Sequence, residues 1–193
     1  MKLKKIISII INGISSRDHG VTMSHPDSEP SKQEKKLFMT RLMTPDMTNF
    51  SGKVHGGTIL KLLDEAAFSC ASRYCKTYVV TGALDHVIFK APIRVGDLVT
   101  FKCHVNYVGR SSMEIGIRVE GEKIKEKEKY HAISCYFTMI SVDENGKSQE
   151  VPRLELMSEA EEKLFQAGKM RSEMRKEVQE RNLKLHVGID LDD

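Results

Sequence analysis

Residues 59–74 leave this chain few choices. Ile59, Leu60, Leu62, Leu63, Ala66, Ala67, Phe68, Cys70, Ala71 and Tyr74 recur at helical spacing and cover nearly every side of the helix they predict. A helix that apolar is a buried core helix, and the remaining chain must wrap around it. Gly56 and Gly57 open the helix, at the end where amide N–H groups lack intrahelical acceptors and the dipole is positive. Asp64 stands within it, and an unpartnered carboxylate in an apolar core costs about several kcal/mol. The expectation is that Asp64 does chemistry; its rival role is an interface carboxylate paired with an arginine. Glu65 points about 100° away around the helix and ranks behind it. Gly57 and Asp64 are seven residues apart, which puts them on one face about 10 Å apart along the axis. A carbonyl oxygen can be held at the helix mouth while the carboxylate works deeper in.

Around this helix the pattern switches to that of strands. Residues 37–43 are a short strand candidate, and the turn-rich segment 44–49 leads into the glycines. Residues 78–84 and 86–89 predict the next two strands. Residues 97–108 alternate well, with Val99, Phe101, Cys103 and Val105 on one side. The turn 109–112 folds residues 113–119 back as an antiparallel partner. Residues 121–129 read as an exposed charged loop, and 130–142 as another long strand ended by the turn 143–146. One early helix followed by consecutive strands is an α+β domain, with one face of an antiparallel sheet covering the helix. Ser158-Glu-Ala-Glu161 is a capping box. It starts a charged helix in which Leu164, Ala167, Met174 and Val178 fall near a coiled-coil register, as for packing on a neighbour or another subunit.

These segments give three parts: a leader and linker over 1–36, a folded domain over 37–156, and a C-terminal helix and tail over 157–193. Lys2, Lys4 and Lys5 precede an apolar run far short of the ~20 residues a membrane span needs. The leader is expected to be disordered or translated from an upstream start, with Met23 as a second candidate start. A net charge of +3, no Trp and 6% aromatics argue against nucleic-acid binding. Cys70, Cys75, Cys103 and Cys135 form no CxxC pair and have no histidine at zinc-ligand spacing, so no metal site is expected. They read as reduced, mostly buried thiols, which fits the cytoplasm.

The order Asn49-x-x-Gly52, His55-Gly-Gly57, Ile59-Leu60, Asp64 resembles the hot-dog-fold acyl-CoA thioesterases of the cytosolic acyl-CoA hydrolase type. Asp85-His-Val-Ile-Phe-Lys-Ala-Pro-Ile-Arg-Val-Gly-Asp97 resembles that family's second strand and turn, and Gly109-Arg-Ser-Ser-Met-Glu114 its coenzyme A loop. Together the match covers roughly residues 37–152, and three segments in order are a specific signal. The resemblance implies a long central helix wrapped by a curved antiparallel sheet. It implies hydrolysis of acyl-CoA to free acid and coenzyme A, with no cofactor beyond the coenzyme A of the substrate itself. It implies protomers paired edge to edge, with sites at the dimer interface, and a homodimer assembling to a homohexamer. Asp64 would be general base or nucleophile. Asn49 of the other protomer would orient the water or the carbonyl, and the Gly57 amide would supply the oxyanion donor. Gly109, Arg110, Ser111 and Ser112 would meet coenzyme A. Gly56 and His55 shape the helix entry, with His55 read as packing rather than as a base.

Each of these has a structural alternative: a turn role for Asn49, tight packing for Gly56 and Gly57, a solvated turn for Arg110. Two other functions fit the same residues. One is a hot-dog hydratase or dehydratase using His55 and Asp64 as an acid–base pair. The other is a non-catalytic acyl-CoA-binding regulatory protein.

Overall fold

The computed structural model describes residues 33–184. Residues 1–32 of the expected leader and the tail 190–193 lie outside the described residues. Five strands form one sheet: β1 (Lys36–Leu42), β2 (Tyr78–Phe89), β3 (Leu98–Val108), β4 (Ser112–Lys123) and β5 (Glu128–Val142). Two helices complete it, α1 (Gly56–Cys75) and α2 (Glu159–Lys184), with a 3-10 turn at Pro45–Met47. The strand order is β1-β3-β4-β5-β2, and every pairing is antiparallel. This is the α+β architecture that the strand and helix patterns imply.

The core lies between α1 and one sheet face. Ile59, Leu63, Ala66, Ala67, Cys70 and Ala71 of α1 meet the inward residues Val99, Phe101, Cys103 and Val105 of β3 and Ile115, Ile117 and Phe137 of β4 and β5. The small side chains Ala66, Ala67 and Ala71 let the helix approach the sheet. Lys76, in the left-handed region at φ 58°, ends α1.

Four expectations need correction. First, α1 is not buried on nearly all sides: Gly57, Lys61, Asp64, Glu65 and Phe68 form an exposed stripe at helical spacing. Glu65 and Lys61 define that stripe, and Phe68 lies in it at 37% exposure. Second, residues 78–89 are one strand rather than two. Its register shifts between Thr81 and Ala83 and again between Asp85 and Ile88, where His86 has φ 45°. Third, the charged loop shrinks to residues 124–127, because β4 and β5 pair out to Lys123 and Glu128. Charged side chains alternate well enough on a solvated ribbon to keep the ladder going. Fourth, within the single chain α2 does not pack through Leu164, Met174 and Val178, which are exposed.

Instead α2 lies across the outer face of the sheet. Glu161 meets Lys35, just before β1, at 2.8 Å, and its other oxygen lies 3.8 Å from His104 of β3. Phe165 packs against Tyr107 of β3, with ring centroids 5.1 Å apart and the rings tilted by 55°. Arg171 forks onto Glu114 of β4, at 3.0 and 2.6 Å, and lies 3.8 Å over the Tyr136 ring of β5. Arg175 pairs with Asp85 of β2. Gly168 is where the helix comes closest: a Cβ there would lie 2.7 Å from Tyr107 Cβ. The Ser158 hydroxyl accepts from the Glu161 amide at 3.2 Å, but Glu161 Oε2 accepts from Met157 rather than closing the capping box. Ahead of the expected domain start, Gln33 and Lys35 donate to the carbonyls of Arg153 and Glu155 and fasten the connector leading into α2.

Candidate active site

His55 is the N-cap of α1, with φ −67° and ψ 132°. Its Nδ1 accepts from the Gly57 amide at 2.9 Å. Histidine thus does what Ser or Asp does at most helix starts. The consequence for chemistry is specific: the amide expected to face an oxyanion is engaged by the ring beside it. Sequence reasoning read His55 as packing and missed this bond.

Two turns along the same stripe stands Asp64. It is exposed within the single chain, not sunk in the core. Thr81 Oγ1 donates to its Oδ1 at 2.6 Å, and Thr81 is its hydrogen-bond partner among the described residues. No arginine pairs with it there. Thr81 lies on the edge strand β2, one residue before Gly82, where the register slips. A glycine inside a strand marks such an irregularity, and that was the signal available in the sequence.

Asn49 builds its own turn. Its Oδ1 accepts from the Ser51 amide at 3.0 Å, the Ser51 hydroxyl at 2.8 Å and the Lys53 amide at 3.2 Å. The turn is completed by Gly52 at φ 70°. Those bonds use the carbonyl oxygen and leave the amide –NH2 as a donor. Asn49, Val54, Gly56, Ile59, Phe89 and Ile93 line a mostly apolar cavity of about 270 Å³ at the helix mouth. Asp64 does not line it. The structure therefore places Asn49 and Gly56 around one hollow, and Gly57 with Asp64 on the adjoining helix face, without bringing Asn49 and Asp64 together in one chain.

Gly109, Arg110, Ser111 and Ser112 make the β3–β4 turn. Gly109 N–H donates to Ser112 O at 2.8 Å, and the carbonyls of Ser111 and Arg110 accept from Ser141 and Val151. These bonds hold the backbone and leave the Arg110 side chain exposed. Ser112 pairs with Ile140, which pairs with Val80, beside Thr81. The turn thus sits two strand spacings, about 10 Å, from the strand that carries Thr81. Among the described residues no three His, Cys, Asp or Glu side chains are grouped to hold a metal. No helix there is long and apolar enough to cross a membrane. The four cysteines are buried and free. Burial pushes the thiols of Cys70 and Cys135 up to about 12, which keeps them in the protonated, weakly nucleophilic form.

A family description, the thioesterase superfamily, matches residues 51–128. Protein VdlD of Helicobacter pylori is 46% identical over 140 residues, which span 72% of this chain and 80% of that protein. The crystal structure of an apo-hexameric acyl-CoA thioesterase superposes with a TM-score of 0.73 at 34% identity, covering 76% of this chain and 94% of the other. The acyl-CoA hydrolase of Staphylococcus aureus, solved with butyryl coenzyme A, coenzyme A and coenzyme A disulfide, superposes at 0.72 with 28% identity, covering 79% and 93%. That hydrolase has also been solved with alanine in place of an asparagine, an aspartate and a threonine.

Proposed function

The chain belongs to the thioesterase superfamily, and on that premise we propose that it hydrolyses acyl-CoA: water cleaves the thioester to release a carboxylic acid and the coenzyme A thiol. The observation that carries this reading is the Asp64 carboxylate, open on the helix face that begins at Gly57 and held by one hydroxyl. The asparagine, aspartate and threonine replaced in the S. aureus hydrolase are separated by fifteen and seventeen positions, and Asn49, Asp64 and Thr81 stand at those same separations.

Thioester hydrolysis needs an activated water or a carboxylate nucleophile, and donors where negative charge develops. Thr81 fixes Oδ1 of Asp64 and leaves Oδ2 to take a proton from water or to attack the carbonyl carbon. The carbonyl oxygen is received at the helix mouth, and for Gly57 to serve it the His55 ring must give up its bond to that amide. Asn49 of a second protomer brings its –NH2 to the water or the carbonyl. Arg110, Ser111, Ser112 and Gly109 meet the coenzyme A moiety, with the Arg110 guanidinium suited to phosphate.

The edge strand β2 argues for that second protomer. It exposes Tyr78, Leu84, Ile88 and Phe89 at 39–54%, beside Phe68 of α1. An unpaired apolar edge is a template for another strand. Pairing two β2 edges gives the homodimer, and three dimers give a homohexamer like the hexameric relative. Four free cysteines fit work in the cytoplasm.

The test is a panel of acyl-CoA substrates of increasing chain length, with coenzyme A release followed by a thiol reagent. Release from at least one of them is the expected result. Saturable acyl-CoA binding without release would make the chain a binding protein. Hydration of an enoyl substrate without release would make it a hydratase.

A further inference from the structure

The contacts of α2 measure where it ends. From Glu161 over β1 and β3 to Arg175 over β2 is fourteen residues, about 21 Å of helix. Four strand spacings are about 19 Å. The helix therefore crosses the strands nearly at right angles and reaches the β2 edge at Arg175. It does not stop there. Residues 176–184 remain helical, about 13 Å beyond the edge of the sheet that supports them.

The helix also carries an apolar flank that runs into the overhang. Glu161, Phe165, Gly168, Arg171 and Arg175 face the sheet. Met170, Met174 and Val178 follow at i, i+4 and i+8 on one side of that stripe, and they are 62%, 60% and 56% exposed. Three apolar side chains in a row, more than half exposed on a helix otherwise this charged, call for a partner.

The geometry points to a second copy of this chain: we propose that the end of α2 crosses onto the paired protomer and lies antiparallel against that protomer's α2. This inference rests on the pairing of β2 edges proposed above. A two-fold axis between paired β2 strands lies about half a strand spacing, 2.4 Å, past Arg175. Along α2 that is between one and two residues, near position 176 or 177. Rotation about it sets Met174 of one helix opposite Val178 of the other, to within one residue. The apolar flank is thereby self-complementary, as an isologous contact requires. The four-residue spacing is that of interdigitating helix ridges.

The experiment is cysteine cross-linking in the full chain. Met174→Cys/Val178→Cys is oxidised mildly and run on a non-reducing gel beside Lys163→Cys, at the other end of α2. Covalent dimers are expected about tenfold or more faster than in the control, at a rate independent of protein dilution. Val178→Cys alone is expected to react with a maleimide about tenfold more slowly than Lys169→Cys, which covers the case of a double variant that folds poorly. The native thiols are buried and do not interfere. Sedimentation separates the failures. A monomer in solution overturns the β2 pairing and this contact with it. An intact oligomer with slow cross-linking and fast labelling overturns the α2 contact alone. Acyl-CoA turnover of the same samples reports on the hydrolase reading independently.

Discussion

Two carboxylates lie on opposite faces of the same sheet and are treated in opposite ways. Glu114, pointing outward from β4, is 2% exposed. The Arg171 fork takes both of its oxygens, and Asn106 Nδ2 adds a third donor at 3.2 Å. Asp64, on the helix that covers the inner face, is open to solvent and holds one hydroxyl. A buried ion pair of the first kind is close to energetic break-even against apolar packing, but losing one partner strands a charge. The second kind keeps an oxygen uncommitted. Having a carboxylate inside a domain therefore says little; whether its lone pairs are already engaged says whether it is free to react.

Substitutions on the two sides sharpen the contrast. Asp64→Asn keeps the shape and removes the base; acyl-CoA kcat/KM is expected to fall about 1,000-fold, while stability moves by less than about 0.5 kcal/mol. Turnover near that of the native chain would end the functional half of the comparison. Arg171→Met does the reverse. It leaves Glu114 without its cation, at a cost of about 3 kcal/mol in urea unfolding, with turnover of the folded fraction retained. An unchanged midpoint would show that Glu114 does not depend on the fork.

Smaller effects follow. Thr81→Ala removes a hydrogen bond to a charged acceptor, worth about 2 kcal/mol, so kcat should drop about 30-fold; Thr81→Ser should restore most of it. If serine is no better than alanine, Thr81 acts through packing. The least effect concerns pH. Burial holds His104 below its ordinary value of 6.5, outweighing the Asn106 bond and the nearby Glu161 carboxylate. The unfolded chain then binds that proton more readily than the folded one. Stability from this group is complete above pH 6.5 and is lost as pH falls through the folded pKa. Denaturation midpoints measured from about pH 8 to pH 5 should decline less steeply in His104→Gln.

The sheet was legible in the sequence because alternation such as Val99, Phe101, Cys103, Val105 records which side is buried. The helix was legible in its length and in the shared face of Gly57 and Asp64. Its exposed stripe was not, because what covers an apolar helix depends on neighbours that no periodicity names. Thr81 gave only the weak signal of the following glycine. The face that α2 turns to its own sheet was not legible because most of its contacts are polar, and two of the partners, Glu114 and Asp85, lie 57 and 90 residues back along the chain. A coiled-coil register detects apolar seams and not guanidinium forks.

The transverse path of α2 has a consequence for how the domain opens. Neighbouring strands hold each other by backbone bonds, so an edge strand such as β2 is ordinarily the first to fray. Here Arg175 binds β2, Arg171 binds β4 and β5, and Phe165 binds β3, all from one rigid rod. Peeling β2 away means lifting the rod or breaking its grip. Strands that never touch are thus tied into one cooperative unit, and the β2 amides bonded to β5 are expected to exchange with the slowness of the sheet's centre.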